Sequence, residues 1–184
     1  TQVPGSHLQW KHALRVDEVV ARLRCTSLTG LAGALYEGYA AREGAGTWTC
    51  KENNLFDHAL RIVAVYPEAR FVYLVRDGRD VACSIRKVPT HDQHPYFIAR
   101  EWRDEQLRAI EVHQDLLPPV AGAPQGRSRL LRYEELIQDP EGHLRALCAW
   151  IGLDFEPGLL NFHEDPESQA DAGKTEFWKN LDKP

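Results

Sequence analysis

The sequence predicts an α/β fold, a central parallel sheet flanked by helices. Phe71–Val75 (FVYLV) is a compact run of β-branched and aromatic residues with the length of a strand, and Arg129–Tyr133 (RLLRY) is a second. Segments of helical spacing lie before, between and after them, and strands separated by helices pair in parallel. A strand as apolar as Phe71–Val75 is expected to be buried on both faces, as parallel sheets usually are.

The elements follow in order. His12–Arg24 carries Leu14, Val16, Val19, Val20 and Leu23 close to helical spacing. Thr29 to Arg42 is a second helix, diluted by glycine and ended by Gly44 and Gly46. Thr47–Cys50 (TWTC) is short and β-prone and leads into the polar turn Lys51–Asn54. Leu55–Tyr66 is helical, with Asn54 as N-cap and Pro67 as stop. After the first core strand, Gly78 breaks the run and Arg79–Lys87 forms a helix. Val88–His94 is a polar loop, Tyr96–Leu117 a long helix, and Pro118–Pro119 its end. Ala121–Ser128 is a Gly/Pro-rich surface loop, and Glu141–Ile151 an amphipathic helix entered through Asp139–Pro140. From Phe155 onward the pattern is loop with short helices, and there is no internal repeat.

The 184 residues suffice for one domain with a sizeable core. An apolar fraction of 43% and a charged fraction of 27% are those of an ordinary globular chain. No apolar run approaches the ~18 residues of a membrane helix, and no basic stretch followed by an apolar one marks a signal peptide. The net charge of −5 argues against a general nucleic-acid binder, so any anion site must rest on a few focused basic residues. Cys25, Cys50, Cys83 and Cys148 are scattered and form no CxxC pair, which argues against a zinc or redox motif. They read as reduced thiols, and the expected location is cytoplasmic. There is no methionine, even at position 1, so the natural N-terminus is expected upstream.

Chemistry concentrates in Arg70–Lys87 (RFVYLVRDGRDVACSIRK). A core strand delivers Arg76 to the sheet edge, Asp77-Gly78-Arg79 turns the chain, and a helix begins near Asp80 with Ser84 about one turn further on. A helix N-terminus offers N–H groups and partial positive charge to phosphate. Arg76 adds a planar fork and Ser84 a hydroxyl, which together make a phosphate clamp. The same string also reads as surface arginines pairing with Asp77 and Asp80. Position at the carboxyl end of a strand, where α/β sheets bind ligands, favours the clamp.

Arg76 followed eight residues later by Ser84 resembles the 3'-phosphate motif of sulfotransferases that use 3'-phosphoadenosine 5'-phosphosulfate (PAPS). The order also matches: a lysine turn (Lys51), a helix, Tyr66–Arg70 (YPEAR), the strand, then RDGRD. Tyr133–Leu136 resembles that family's YEEL element, and Trp178–Pro184 the segment that closes over the nucleotide in many members. The resemblance runs from Thr47 to Pro184 and implies the P-loop NTPase-like sulfotransferase fold, with residues 1–184 as a single domain, its C-terminal portion. It implies that Arg76 and Ser84 hold the 3'-phosphate, that Tyr133 orders that region, and that Arg86 or Lys87 adds a contact. Lys179 or Lys174 would cap the nucleotide, and Lys51 would stabilise charge on the bridging oxygen as the S–O bond breaks. The donor would be PAPS, the released product PAP, and no metal would take part. The acceptor would be a small molecule, glycan, lipid or peptide presenting a hydroxyl or amine.

The family's R-x-G-T/S-T/S loop, which binds the 5'-phosphosulfate, has no counterpart here: Pro4-Gly5-Ser6 and Thr26–Gly30 both lack its context. That loop, and the base that often follows it, are expected upstream of Thr1. The alternative is a non-catalytic PAP-binding module or inactive fragment of the same fold. A P-loop kinase would need GxxxxGK[ST], which is absent. His58 reads as a surface histidine, and His91 and His94 as solvated loop histidines lacking a third metal ligand. Glu52 would pair with an arginine or act as base. Trp10, Trp48, Trp102 and Trp150 read as packing residues, whereas Trp178 belongs to the closing tail.

Overall fold

The computed structural model describes residues 13–52, 54–86, 94–120, 123 and 125–164, with only the backbone of Phe162 and His163. The chain divides into two compact units, Thr1–Ala69 and Arg70–Pro184.

In the first unit, α1 (Val16–Val20) and α2 (Leu28–Arg42) are followed by a short 3-10 helix (Leu55–His58) and α3 (Ala59–Val65). α2 starts where the Ser27 hydroxyl accepts the Gly30 N–H at 3.0 Å, an ordinary N-cap. Leu14, Val19 and Ala34 form a small buried core, with Leu23, Leu35 and Tyr39 against it. The glycines diluting α2 are contact points. A Cβ on Gly38 would sit tightly against the Leu14 side chain at 3.3 Å, and one on Gly33 would overlap the Tyr66 ring. Arg24 lies over the Tyr66 ring, 4.2 Å from its centroid, and pairs with Glu37 and Glu68. α1 is much shorter than its periodicity predicts: Arg15 before it is extended, with Leu14 buried in the core, and the helix closes at Ala21.

In the second unit, β1 (Phe71–Val75) pairs in parallel with β2 (Ser128–Arg132), in the register Phe71↔Ser128 to Val75↔Arg132. Between them come α4 (Gly78–Ile85) and α5 (Pro95–Leu116). After β2 come α6 (Tyr133–Gln138), α7 (Pro140–Ile151) and a 3-10 segment (Pro157–Glu164). The α/β class and the parallel sheet agree with the sequence expectation. α7 opens with Asp139 accepting the Gly142 N–H and closes on Gly152, whose φ of 81° suits a residue without a side chain.

Three expectations are corrected. Thr47–Cys50 is not a strand; it has no regular structure and no pairing partner among the described residues, and Trp48 instead stacks on Tyr36 of α2. β1 is not buried on both faces. Phe71, Tyr73 and Val75 are half-buried, whereas Val72 and Leu74 are exposed, since only two strands of the sheet lie among the described residues. Tyr133 is not the last residue of a strand but the first of α6, where Glu134 and Glu135 fill the first helical turn and suit its positive end.

Candidate functional site

The site in the second unit is built by two strand exits. Because Val75 pairs with Arg132, the residues that leave β1 and β2 emerge side by side at the carboxyl end of the sheet. Arg76 leaves one strand and Tyr133 the other, and the Arg76 guanidinium carbon sits 4.9 Å from the Tyr133 ring centroid. A guanidinium over an aromatic face gains cation–π attraction and loses little freedom when it then binds an anion.

Arg76 is only partly engaged. Its Nη2 lies 3.9 Å from Asp80 Oδ2, a long pair between exposed side chains that contributes little. Its Nε is buried and has no acceptor among the described residues. A buried N–H without a partner costs about 1–3 kcal/mol, so Arg76 is held here at some expense.

The turn after Arg76 is held by carboxylates. The Asp77 N–H donates to Glu134 Oε1 at 2.8 Å. The Asp77 carboxylate accepts the Arg79 N–H at 2.8 Å and the Arg79 guanidinium at 2.6 Å. The hydrogen bonds from the Arg79 side chain and backbone push the Asp77 carboxyl down to about 2. The N–H from Asp77 likewise holds Glu134 below the usual carboxylate range. Arg79 is thus the surface arginine of the alternative reading, held by Asp77, whereas Arg76 combines its long Asp80 pair with the Tyr133 contact. Two amides at the start of α4 are committed to protein carboxylates, so an anion here would depend on Arg76 more than the motif alone suggests.

α4 runs from Gly78 to Ile85, starting one residue before the expected Arg79, which places Ser84 in its last turn, about 9 Å of helix rise from Gly78. Ser84 is exposed and shares a helical face with Asp77 and Asp80 by its spacing. Gly78 has a packing reason of its own: a Cβ there would meet three Trp102 ring carbons of α5 at 3.0–3.1 Å. Trp102 is the packing residue the sequence suggested. Arg86 is exposed at the C-cap of α4.

Lys51 belongs to the first unit, exposed on the coil after Trp48. That coil is fixed to α2: Trp48 stacks on Tyr36 at 4.7 Å, and the Cys50 thiol meets the Tyr36 hydroxyl at 3.3 Å. The thiol contact and burial push the Tyr36 phenol up to about 12. His94 caps α5, its Nδ1 accepting the Tyr96 N–H at 3.3 Å. Lys87, His91, Lys174, Trp178 and Lys179 lie outside the described residues. All four cysteines are unpaired. Among the described residues, no group of three or more His, Cys, Asp or Glu is placed to hold a metal, and no helix is long and apolar enough to cross a membrane.

A model of the sulfotransferase family matches residues 2–157. The chain belongs to the sulfotransferase family. Its relatives include a putative protein-tyrosine sulfotransferase of Caenorhabditis briggsae, 29% identical over 63% of this chain and 40% of that protein. The omega-hydroxy-beta-dihydromenaquinone-9 sulfotransferase of Mycobacterium bovis is 32% identical over 62% of this chain and 32% of that protein. The protein-tyrosine sulfotransferase of Drosophila melanogaster is 27% identical over 56% of this chain and 20% of that protein. The chain therefore spans well under half the length of these relatives. No solved structure matches.

Glu134 is the residue that sequence reasoning passed over. Its only signal was membership of the YEEL element, because its role depends on which strands are neighbours.

Proposed function

We propose that this chain carries the nucleotide-gripping part of a sulfotransferase that moves a sulfuryl group from PAPS to an acceptor hydroxyl and releases PAP. The observation that carries the proposal is Arg76. It is poised on Tyr133 at the carboxyl end of β1, with a buried Nε that has no acceptor among the described residues. The exposed part of the Arg76 guanidinium can give a 3'-phosphate oxygen a charge-assisted hydrogen bond, and Ser84 of α4 supplies a hydroxyl donor. The 3'-phosphate also distinguishes PAPS from ATP and AMP.

In the transfer, the acceptor oxygen loses its proton to a base and bonds to sulfur, while the bond from sulfur to the bridging phosphate oxygen breaks. The bridging oxygen leaves with the electron pair as part of the 5'-phosphate of PAP. A cation beside it lowers the barrier, and Lys51 is the candidate on this chain. Holding donor and acceptor in line supplies much of the remaining acceleration. Arg86, Lys87 and Lys179 are further candidate nucleotide contacts. The names of the relatives point to tyrosine and to an omega-hydroxy quinone as acceptors; both carry a hydroxyl, which supports a hydroxyl over an amine here.

The test is a titration of the chain with PAP, AMP and ATP, followed by an assay of PAPS turnover with phenolic and alcohol acceptors. PAP is expected to bind at least tenfold more tightly than AMP, and Arg76→Ala to remove the difference. Equal affinity for PAP and AMP would sink the 3'-phosphate reading. PAP binding with no turnover on any acceptor would favour a non-catalytic binding module of the same fold.

A further inference from the structure

We infer that Glu134 is a positioning residue of the Arg76 clamp: its carboxylate anchors the Arg76–Asp77 peptide, so that affinity for the 3'-phosphate depends on a side chain that does not touch the nucleotide. The inference rests on the proposed reading of Arg76 and goes one step beyond it.

The argument begins with the backbone. β1 ends at Val75 and α4 begins at Gly78, so Arg76 and Asp77 belong to neither ladder nor helix. A peptide N–H at such a junction has no partner from regular structure and would otherwise be free to rotate with the chain. Glu134 Oε1 accepts the Asp77 N–H at 2.8 Å across 57 residues of sequence. The bond fixes the peptide plane that sets the direction of the Arg76 side chain.

The second support is adjacency. Tyr133 and Glu134 are the first two residues of α6, and they act on the two ends of one residue. The Tyr133 ring lies against the Arg76 guanidinium, and Glu134 holds the amide just after Arg76. Both contacts follow from the register that pairs Val75 with Arg132, so a single strand pairing assembles the clamp.

The third support is charge. A carboxylate close to a phosphate site opposes anion binding unless it has another task. The N–H it accepts holds the Glu134 carboxyl below its usual range, which is the signature of an anion committed to a donor. Its negative charge is not required for the anchoring itself, since an amide oxygen in the same place would accept the same bond.

The experiment measures PAP and AMP binding to the chain, together with hydrogen exchange of the Asp77 amide by NMR. The variants are Glu134→Ala, Glu134→Gln, Glu134→Asp, Arg76→Ala and the double variant Arg76→Ala/Glu134→Ala. Glu134→Ala is expected to weaken PAP binding about tenfold, the loss of one charge-assisted bond, while AMP binding stays within about twofold. Glu134→Gln is expected to recover PAP binding to within about threefold of the parent. Glu134→Asp, one methylene shorter, is expected to behave like the alanine variant. Asp77 exchange should accelerate in the alanine and aspartate variants and not in the glutamine one. The double variant should bind PAP no more weakly than Arg76→Ala alone.

If Arg76→Ala removes the preference for PAP but Glu134→Ala leaves it intact, Glu134 has no positioning role and the reading of Arg76 survives. Equal losses for PAP and AMP in all three Glu134 variants would make Glu134 a residue of general stability, and overturn the inference. If the parent chain binds PAP and AMP alike, the 3'-phosphate reading fails and takes this one with it.

Discussion

The guanidinium of Arg76 rests against the ring of Tyr133, 4.9 Å from carbon to centroid, although 57 residues separate the two in the chain. The contact exists because β1 and β2 are parallel neighbours in a register that ends both at the same level. An arginine held this way keeps its hydrogen-bonding edges available, which a loop arginine in water does not do in a fixed direction.

The first prediction concerns that arginine. Arg76→Ala is expected to weaken PAP binding by about 1.5–3 kcal/mol, roughly ten- to a hundredfold, the range for hydrogen bonds to a charged group. Arg76→Lys should recover only a small part, because an ammonium cannot replace a planar fork. Isothermal titration with PAP, with AMP as control, checks both. Full PAP affinity in the lysine variant would contradict a geometric role.

Tyr133 offers a second. If its ring supports Arg76, Tyr133→Phe should bind PAP within about twofold of the parent. Tyr133→Leu should lose about 0.5–1 kcal/mol, the worth of a cation–π contact at a partly exposed site, which is two- to fivefold in affinity. A large loss in the phenylalanine variant would instead assign the work to the hydroxyl.

These two residues show what the sequence made legible. FVYLV has the length and the β-branched and aromatic content of a strand, and the charged string after it falls at the sheet edge, although β1 is less buried than its composition suggests. α5 was readable from end to end by its period and by the prolines near both ends. Tyr133, an aromatic residue after RLLR, looked like more strand, and only the two glutamates after it hinted at a helix start. The hydrogen bond from Asp77 to Glu134 was not readable at all. It depends on a register between two strands, and register is a tertiary fact. The pairing of Arg79 with Asp77, by contrast, is local and was open to either reading until the geometry decided it.

A third prediction tests the close packing of the first unit. A Cβ on Gly33 would lie 1.9 Å from the Tyr66 hydroxyl oxygen and 2.2 Å from its ring carbon, and Tyr66 is buried, with its hydroxyl donating to the Gly30 carbonyl and Arg24 over its ring. Gly33→Ala therefore gains helix propensity, about 1 kcal/mol, but loses more to the clash, with overpacking typically costing about 1–3 kcal/mol. Gly44→Ala is the informative contrast. It has open space around it, and its φ of 70° is the only obstacle, so a loss of about 1 kcal/mol is expected. Chemical denaturation should show Gly33→Ala to be destabilised by up to about 2 kcal/mol despite its better helix propensity, and Gly44→Ala by about 1. A stable Gly33→Ala protein would mean that α2 and Tyr66 are not packed as described.

The last prediction is a pH dependence. His113 of α5 meets Ser128 of β2 at 2.7 Å through Nδ1, and its ring lies 5.8 Å from Tyr73 of β1, whose hydroxyl donates to Gln106 at 2.6 Å. This small polar network joins the long helix to both strands. Burial pushes the His113 imidazolium below its ordinary value, so the folded protein favours the neutral ring. The unfolded chain takes up its proton near ~6.5. Above that pH both states hold a neutral ring, and the contribution of His113 to stability is complete. As the pH falls below it, the unfolded state binds a proton that the folded state resists, and stability declines until the folded ring is itself protonated. Thermal unfolding should therefore show a midpoint that drops between pH 7 and 5.5, before most carboxylates titrate. His113→Gln should be less stable at pH 7 by about 1 kcal/mol, the worth of the lost hydrogen bond, yet show a flatter profile in that interval. An unchanged slope in the variant would assign the pH dependence to another group and leave His113 with a packing role alone.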